Sequence, residues 1–395
     1  MSGVGPVTAA LLLRHFGNPE NIYDAGKYDY SGIEGLKPAD ISRLMDKNTD
    51  AASKILASCT SIGCSVITLH DDGYPDRLRN IYDPPIAIYV RGSLPAVDDE
   101  PVVAIVGTRK CTPYGISTAE NTGYQLAASG LIVVTGLARG VDSAAIRGAL
   151  RGGGRVIGVI GSGLDVVYPP ENRELFDHVA NAGAIISEYP PGTPAFASNF
   201  PARNRILSGL SLGVAVIEAP KKSGALITAT RALEQGRDVF ALPGNVDART
   251  CEGSNALLRE GAIPFLGADD IISEYSELFP DRIIQDEAVC RPTRGSGPEP
   301  VAPDRIKGDC RHDAGKNEID NKSAMDYIDL CKILGSLDGD EHAVAAAIGY
   351  AEIHADEIVA GSGLPAQRVL TSLTMLEVKG LAVRGANGKW MMRSD

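Results

Sequence analysis

Six short apolar segments, each followed by glycine or proline and then by a helical pattern, constrain the fold of this chain more than any other feature. In chain order they are PVVAIVG, GLIVVTG, GRVIGVIG, GAIISEYPPG, LGVAVIEAP and DVFALPG. Strands that are continuously apolar and alternate with helices are typical of a parallel sheet with helices on both faces. We therefore predict an α/β domain over residues 101–285, with ligands at the carboxyl ends of its strands.

The segment before this domain, residues 1–92, has a mostly helical pattern. In GVGPVTAALLLRHFG, Gly5 and Pro6 precede a helix that we expect to stop at Gly17. A Gly-x-Gly turn that enters a helix is how helix-hairpin-helix modules bind a phosphate through backbone N–H groups. A full module needs a helix before the turn, and here the turn comes first. We therefore expect an N-terminal helical (SAM/helix-hairpin-helix-like) domain with a packing or partner role rather than DNA contact.

Two further regions follow the predicted sheet domain. Residues 286–322 are rich in proline, glycine and mixed charge and poor in large apolar residues, which is typical of a flexible linker. Residues 323–395 have the order helix, turn, helix and hairpin, with Asn387-Gly388 at the turn of the hairpin. That order predicts a C-terminal winged-helix domain.

The second helix of a winged helix often reads a DNA groove. Here it spans about residues 364–379 and carries mainly Arg368 and Lys379. This is little positive charge for a helix that binds duplex DNA, so docking to a partner is the favoured role.

The chain of 395 residues is acidic, with a formal net charge of -12, but its charge is unevenly distributed. Net acidity argues against non-specific coating of duplex DNA. Local binding depends instead on the field within about a Debye length. Residues 199–237 hold six Lys or Arg against two Glu. This local excess is the first indication of a site for nucleic acid.

The seven cysteines are irregularly spaced, so a disulfide framework is not expected. Cys59 and Cys64 lie near each other, but no second pair of metal ligands accompanies them, which disfavours a zinc site. No apolar run approaches the roughly 20 residues of a membrane span, and the N-terminus does not have the pattern of a secretory leader. We expect a reduced, cytoplasmic protein with no metal and no membrane association.

Cationic and small residues recur where the predicted strands end. In VGTRKCTPYG and TGLARGVD, glycines let the backbone turn sharply and present Arg109 and Arg139 to a phosphate. A salt-bridged structural role is the alternative for Arg109, and Asp142 is expected to cap the next helix. In APKKSGALITA, two lysines precede a helix N-terminus, which also favours a phosphate. The candidate nucleic-acid-binding residues are Gly107, Thr108, Arg109, Gly136, Arg139, Phe200, Arg203, Asn204, Arg205, Lys221, Lys222, Ser223 and Gly224.

The stretch NFPARNRILSGLS places Phe200 close to Arg203 and Arg205. Single-stranded nucleic acid is bound by this combination, because bases stack on aromatic rings for about 1–3 kcal/mol each while cations follow the backbone. Two alternatives stay open, namely Phe200 as a core residue and Arg205 as a brace of the fold. Phe200 and Arg203 are therefore the stronger candidates.

Motifs of common catalytic and cofactor-binding sites are missing from the sequence. The six histidines lie outside the strand-end motifs, and there is no Gly-x-Ser-x-Gly, His-Glu-x-x-His or P-loop pattern. The dinucleotide fingerprint is also missing, which disfavours a nicotinamide oxidoreductase. The sequence therefore predicts a binding protein that is not an enzyme and uses no cofactor.

The strand-end motifs resemble those of the DprA/Smf DNA-processing proteins. GTRKCTPYG, TGLARGVD, GSGLDVVYPPEN, SEYPPGTP, NFPARNRILSGLS, KSGALITA and LPGN stand in the order of that family over residues 101–267. The resemblance is weaker in the N-terminal domain, and the winged helix matches the family's optional extension. It implies an extended Rossmann-like domain that binds single-stranded DNA in a basic pocket, dimerises, and helps to load RecA recombinase during natural transformation.

The resemblance also implies roles for single residues. Arg109 would hold a phosphate, Arg139 would line the pocket and Phe200 would stack a base. Two positions depart from the family pattern, since many relatives have a lysine where Ala197 stands and a histidine where Ile146 stands. The first departure predicts a weaker or differently arranged pocket.

A cytokinin-activating phosphoribohydrolase has the same extended Rossmann architecture and is the alternative function. Its signature is Pro-Gly-Gly-x-Gly-Thr followed by a catalytic glutamate. This chain has PKKSGALITA at the comparable turn, without the glycine run and without the acid. The nucleotide-enzyme alternative is therefore disfavoured.

Overall fold

The structure of the chain, a computed structural model, describes residues 5–284, 339–348, 353–362, 364–379, 381–385 and 389–392. In the first of these ranges the strands are β1 Cys64–Thr68, β2 Ala87–Gly92, β3 Val102–Val106, β4 Ile132–Thr135, β5 Val156–Val159, β6 Ala184–Ser187, β7 Gly213–Val216, β8 Asp238–Ala241 and β9 Ile263–Pro264. They form one sheet in the order β1-β2-β6-β5-β4-β3-β7-β8-β9.

Helices precede the strands and alternate with them. Their bounds are α1 Pro6–Phe16, α2 Pro19–Asp24, α3 Lys27–Ser31, α4 Pro38–Leu44, α5 Asp50–Ser61, α6 Asp76–Arg79, α7 Pro113–Ala128, α8 Val141–Arg151, α9 Arg173–Ala182, α10 Asn199–Leu210, α11 Gly224–Glu234, α12 Glu252–Arg259 and α13 Ala268–Ser276. Short 3-10 helices span Val97–Asp99, Pro170–Asn172 and Arg249–Cys251.

The parallel sheet predicted from the six apolar segments is confirmed as strands β3 to β8. Neighbours among them pair in parallel, so that Val103 of the central strand β3 lies opposite Val133 of β4 and Gly213 of β7. Every residue of β3 to β7 is buried, which explains why these strands are continuous apolar runs in the sequence. Their carboxyl ends meet at one edge of the sheet, and the loops with the candidate residues follow there.

The N-terminal segment contributes two strands that the helical prediction missed. β1 pairs antiparallel with β2, and β2 pairs antiparallel with β6, so this segment extends the central sheet. The predicted limit between residues 92 and 101 therefore falls between two strands of one sheet. Both strands are only partly buried, and they lack the continuous apolar pattern of the interior strands.

The helical part of the N-terminal prediction agrees with the structure. α1 begins directly after Gly5 and ends before Gly17. Leu12, Tyr30 and Leu44 belong to the buried core that α1, α3 and α4 share. These helices therefore pack into a small group. In the sequence, this group precedes strands β1 and β2.

The described residues from Gly339 onwards belong to a separate unit, and their elements have the predicted winged-helix order. Its described elements are α14 Gly339–Ile348, α15 Ala355–Ser362, α16 Ala366–Val378, β10 Ala382–Arg384 and β11 Trp390–Met392. α16 lies within the predicted second helix, the two strands pair antiparallel, and Val369 and Leu373 belong to a core of their own. The predicted linker and the turn at Asn387-Gly388 lie outside the described residues.

Candidate nucleic-acid interface

The loop after β3 carries Arg109 on the surface and leads into α7. Thr112 caps this helix, and its backbone N–H and its hydroxyl donate to the carboxylate of Glu218 at 2.9 and 2.5 Å. Glu218 follows β7 and is only 1% exposed. The sequence predicts an anion at this helix N-terminus, and the protein's own carboxylate takes that position. The reason is electrostatic, since a helix N-terminus attracts negative charge from any source.

The loop after β4 is held by Asp142 in a similar way. Its carboxylate accepts hydrogen bonds from the N–H groups of Gly136 and Ala138 at 3.0 and 3.4 Å. The expected capping role is wrong in detail, because Asp142 lies inside α8 and ties down the preceding loop. Burial raises the pKa of Asp142, while the positive charge of Arg203 acts to lower it. Arg139 projects from the loop thus fixed, with 54% of its side chain exposed.

Phe200, near the start of α10, is the centre of a cluster of aromatic and cationic groups. The guanidinium carbon of Arg109 lies 5.3 Å from the centre of its ring, and that of Arg203 lies 5.9 Å from it. The ring centres of Tyr168 and Phe200 are 5.5 Å apart, with an angle of 44° between the rings. These are the distances of cation–π and aromatic pair contacts. The cluster therefore joins the loops after β3 and β5 to α10.

A small pocket opens at this cluster, where the loops after β3, β4 and β5 converge with α10. Its lining residues are Arg109, Gly136, Ala138, Arg139, Tyr168, Pro169 and Phe200. The two arginines, the glycine and the phenylalanine are sequence candidates that the structure brings together. The other three were missed. The sequence motif YPPEN could have indicated Tyr168 and Pro169, because it follows β5 and therefore stands at the same edge of the sheet as the glycine-rich loops.

Arg203 lies under the pocket rather than in its lining. It is 4% exposed, and its Nη1 donates to the carbonyl oxygen of Gly136 at 2.9 Å. A β-carbon at Gly136 would be 2.5 Å from Nη2 of Arg203 and 2.8 Å from a carboxylate oxygen of Asp142, so only glycine fits there. Arg203 therefore orders the pocket by joining α10 to the loop after β4.

Arg205 points elsewhere and joins three segments of the chain. Its Nη1 and Nη2 each donate to the carboxylate of Glu188 at 2.7 Å, and its Nε donates to the carbonyl oxygen of Asp83 at 2.9 Å. Arg205 is 4% exposed. Glu188 directly follows β6, whereas Asp83 precedes β2. The structure thus gives Arg205 the bracing position that the sequence left open as its alternative.

Asn204 of α10 and the candidates after β7 lie around the start of α11. The side-chain amide of Asn204 donates to the carbonyl oxygen of Gly224 at 3.3 Å, and the side chain of Ser223 caps the helix. Lys221 is exposed and Lys222 is half-buried in the loop between β7 and α11. None of these residues lines the pocket around the aromatic cluster. The candidates are therefore divided between the pocket and the neighbouring strand end.

The two departures from the family pattern have different surroundings. Ile146 is fully buried in α8, so this position belongs to the core. Ala197 is half-buried just before α10, and its carbonyl oxygen accepts a hydrogen bond from the N–H of Phe200 at 3.4 Å. The position at which many relatives have a lysine therefore lies next to the aromatic cluster.

Within the described ranges, no group of three or more His, Cys, Asp and Glu side chains is arranged to hold a metal ion. Cys59 and Cys64 are free thiols, and burial raises the pKa of Cys64, which disfavours the thiolate that a metal needs. In the same part of the chain, no helix combines the length and the apolar character that crossing a membrane requires.

In the winged-helix unit, both predicted cations of α16 are engaged in ion pairs. Arg368 donates through Nη2 to Asp340 and Lys379 donates to Glu341, each at 2.5 Å, and both acids belong to α14. Leu370 is exposed on the same helix. The outer surface of α16 therefore presents little positive charge.

The fold and the pocket define an α/β protein of the Rossmann-like class with a cationic and aromatic pocket at its strand ends, followed by a winged helix. The family model of DNA recombination-mediator protein A matches residues 65–276, and that of the DprA winged helix domain matches residues 334–388. The chain belongs to the DprA/Smf family of DNA-processing proteins.

Curated relatives lead to the same family. The chain is 39% identical to Protein Smf of Synechocystis over 282 residues, which are 70% of this chain and 71% of that protein. It is 44% identical to the DNA processing protein DprA of Streptococcus pneumoniae over 52% of this chain and 72% of that relative. The resemblance drawn from the strand-end motifs is thus confirmed.

Two solved structures share the fold. DNA processing protein A from Streptococcus pneumoniae matches with a TM-score of 0.63 at 37% identity, over 69% of this chain and 94% of that chain. DNA processing protein A from Helicobacter pylori, a structure that concerns its single-stranded DNA binding mode, matches with a TM-score of 0.50 at 30% identity. The match covers 54% of this chain and 96% of that chain.

Replacing Arg205 by methionine should lower the free energy of unfolding by about 3–5 kcal/mol, because the carboxylate of Glu188 is left buried without its partner. Urea unfolding followed by circular dichroism measures the change. Arg231→Met is the matched control, since its ion pair with Glu234 is exposed and worth at most about 1 kcal/mol. Equal losses in the two variants would contradict the bracing role.

Proposed function

We propose that this protein binds single-stranded DNA in the pocket around Phe200 and acts as a binding protein rather than an enzyme. One observation carries the proposal, namely that Arg109, Arg139, Tyr168 and Phe200 line the same pocket. Aromatic rings stack on exposed bases, and arginine side chains follow the phosphates. The single-stranded DNA binding mode of the Helicobacter pylori relative supports the assignment.

The aromatic pair favours a single strand over a duplex. In a duplex the bases stack on one another, so their faces are not accessible to protein side chains, whereas a single strand can splay them out. Phe200 is partly covered by Arg109 and Tyr168. Tyr168 is 37% exposed and offers the more open ring. Tyr168 is therefore part of the proposed stacking surface together with Phe200.

The strand-end backbone amides support a binding role rather than nucleotide chemistry. In Rossmann-like nucleotide-binding proteins such amides hold the phosphates of a cofactor or substrate. Here carboxylates of the protein itself accept hydrogen bonds from them, namely those of Asp142, Asp165 and Glu218. Phosphates are left to the exposed arginine side chains. Nothing in the described strand-end loops supports the phosphoribohydrolase alternative.

The finer roles follow the family resemblance. The protein would load RecA recombinase onto single strands during recombination and natural transformation, and would dimerise through the α/β domain. The match to a recombination-mediator family supports the recombination role. A cytoplasmic location is consistent with the free thiols, since disulfides form mainly in oxidising compartments.

For the winged-helix unit we favour docking to a protein partner. A helix that reads a DNA groove needs cations that can reach phosphates and bases. A phosphate would have to displace Asp340 or Glu341, whose side chains are 29% and 21% exposed, and Leu370 adds an exposed apolar group. This combination suits a protein surface better than a duplex.

Arg109→Ala and Arg139→Ala should each weaken binding to a fluorescent 20-nucleotide oligothymidine by about tenfold, because each variant loses a charged contact to phosphate. Anisotropy titrations at several KCl concentrations should also show the salt slope of Arg109→Ala falling by about 0.7. Arg147→Ala, with an exposed position on α8, controls for net charge. Parent-like binding by both pocket variants would exclude this pocket as the DNA site.

Tyr168→Ala and Phe200→Ala should each weaken binding of the same oligothymidine by about 1–3 kcal/mol, because each removes a stacking surface. Their salt slopes should equal that of the parent protein, since no charge changes. Tyr114→Ala removes an exposed tyrosine from α7 and should bind like the parent. If Tyr168→Ala binds as tightly as this control, the stacking role of Tyr168 is excluded.

The double variant Arg368→Ala/Lys379→Ala should bind an oligothymidine and a 20-base-pair duplex within about twofold of the parent, because both cations are already neutralised by α14. The same anisotropy assay measures both affinities. A tenfold loss of duplex affinity would instead show that the winged helix reads DNA, contrary to the docking role.

A further inference from the structure

Glu171 stands two positions after Pro169 and pairs with Arg139, so it lies at the rim of the pocket that these two residues line. Its carboxylate accepts hydrogen bonds from Nε of Arg139 and, at 3.2 Å, from Nη2 of the same guanidinium. The two side chains are about half exposed, 54% for Arg139 and 50% for Glu171. Arg139, which the proposed function assigns to phosphate binding, is thus already paired with an acidic group of the protein.

The segment that carries Glu171 is fastened to the loop that carries Arg139. The side-chain amide of Asn172, which is 3% exposed, donates to the carbonyl oxygen of Leu137 and to the hydroxyl of Ser143, each at 2.9 Å. Leu137 and Ser143 stand on either side of Arg139 in the sequence. The two backbone segments are therefore held together, which keeps Glu171 and Arg139 within reach of each other.

Glu171 differs from the three carboxylates at this edge of the sheet that accept hydrogen bonds from backbone N–H groups. Asp142, Asp165 and Glu218 accept hydrogen bonds from backbone N–H groups, which would lose them if the carboxylate moved. Glu171 pairs with a side chain, and the hydrogen bonds from Arg139 lower its pKa, so it stays charged at neutral pH. Another anion can therefore displace Glu171 from Arg139 without burying an unsatisfied amide.

We propose that Glu171 determines specificity by competing with the nucleic-acid phosphate for Arg139, an inference that rests on the function proposed above. The planar guanidinium binds a carboxylate or a phosphate in the same bidentate way, so binding exchanges one anion for the other. The released carboxylate then repels the phosphate. A mononucleotide has a single phosphate, which reaches Arg139 only by this exchange, whereas a continuous strand has further phosphates and bases that Arg109, Tyr168 and Phe200 can bind without it. The pocket therefore selects strands over single nucleotides.

Glu171→Gln should tighten binding of the 20-nucleotide oligothymidine by about three- to tenfold, because Arg139 no longer has to give up a charged partner when it binds a phosphate. Its salt slope should be steeper than that of the parent by about 0.7, since the contact to phosphate then releases a full counterion. The affinity for thymidine monophosphate, measured by competition with the fluorescent strand, should rise by a larger factor than the affinity for the strand itself. Glu174→Gln makes the same charge change on the exposed surface of α9 and should alter binding less than twofold.

The Arg139→Ala background separates exchange from general repulsion. There, Glu171→Gln should have no more effect than Glu174→Gln, because no guanidinium is left to compete for. Equal effects of Glu171→Gln and Glu174→Gln in the parent background, or an undiminished gain without Arg139, would overturn the exchange. If the parent protein does not bind oligothymidine at all, the proposed function itself fails, and this outcome is distinct from a binding parent with an unaltered Glu171→Gln variant.

Discussion

The contact of Arg203 with Gly136 and Asp142 fixes the position of α10 relative to the loop after β4. Arg203 donates from α10 to the carbonyl oxygen of Gly136, and Asp142 accepts from the N–H of the same glycine. Both charged side chains are buried, so the loss of either would leave a costly charge without its partner. Because the two segments carry Phe200 and Arg139, the pocket between them depends on this contact.

The carboxyl edge of the sheet separates its charges by burial, which explains how an acidic chain can offer a site to DNA. Carboxylates such as Asp142 and Glu218 are turned inward and satisfy backbone N–H groups. The arginines that line the pocket, Arg109 and Arg139, are exposed. An incoming strand therefore meets these two arginines, with Glu171 paired to Arg139, within about a Debye length, even though the net charge of the chain is -12.

How far the fold could be predicted depended on the burial of each strand. β3 to β7 are buried along their whole length, so each strand is a continuous apolar run that the sequence shows directly. β1 and β2 pair at the side of the sheet, are partly exposed, and follow helical segments. The pairing of β2 with β6 is a contact between residues nearly a hundred positions apart, as between Arg91 and Ile185, and no local pattern encodes it.

The candidate site was predictable in its residue types but not in the direction of each side chain. Arg203 and Arg205 stand two positions apart on α10, which places them about 200° apart around the helix, on opposite sides. One therefore reaches the pocket floor, and the other reaches Glu188 after β6. The sequence offers Arg205 as a brace of the fold, but it does not show which group either arginine meets, because their partners come from distant loops. The acid that each arginine meets decides its role: a buried carboxylate commits it to the fold, whereas the exposed partner of Arg139 leaves that guanidinium within reach of a phosphate.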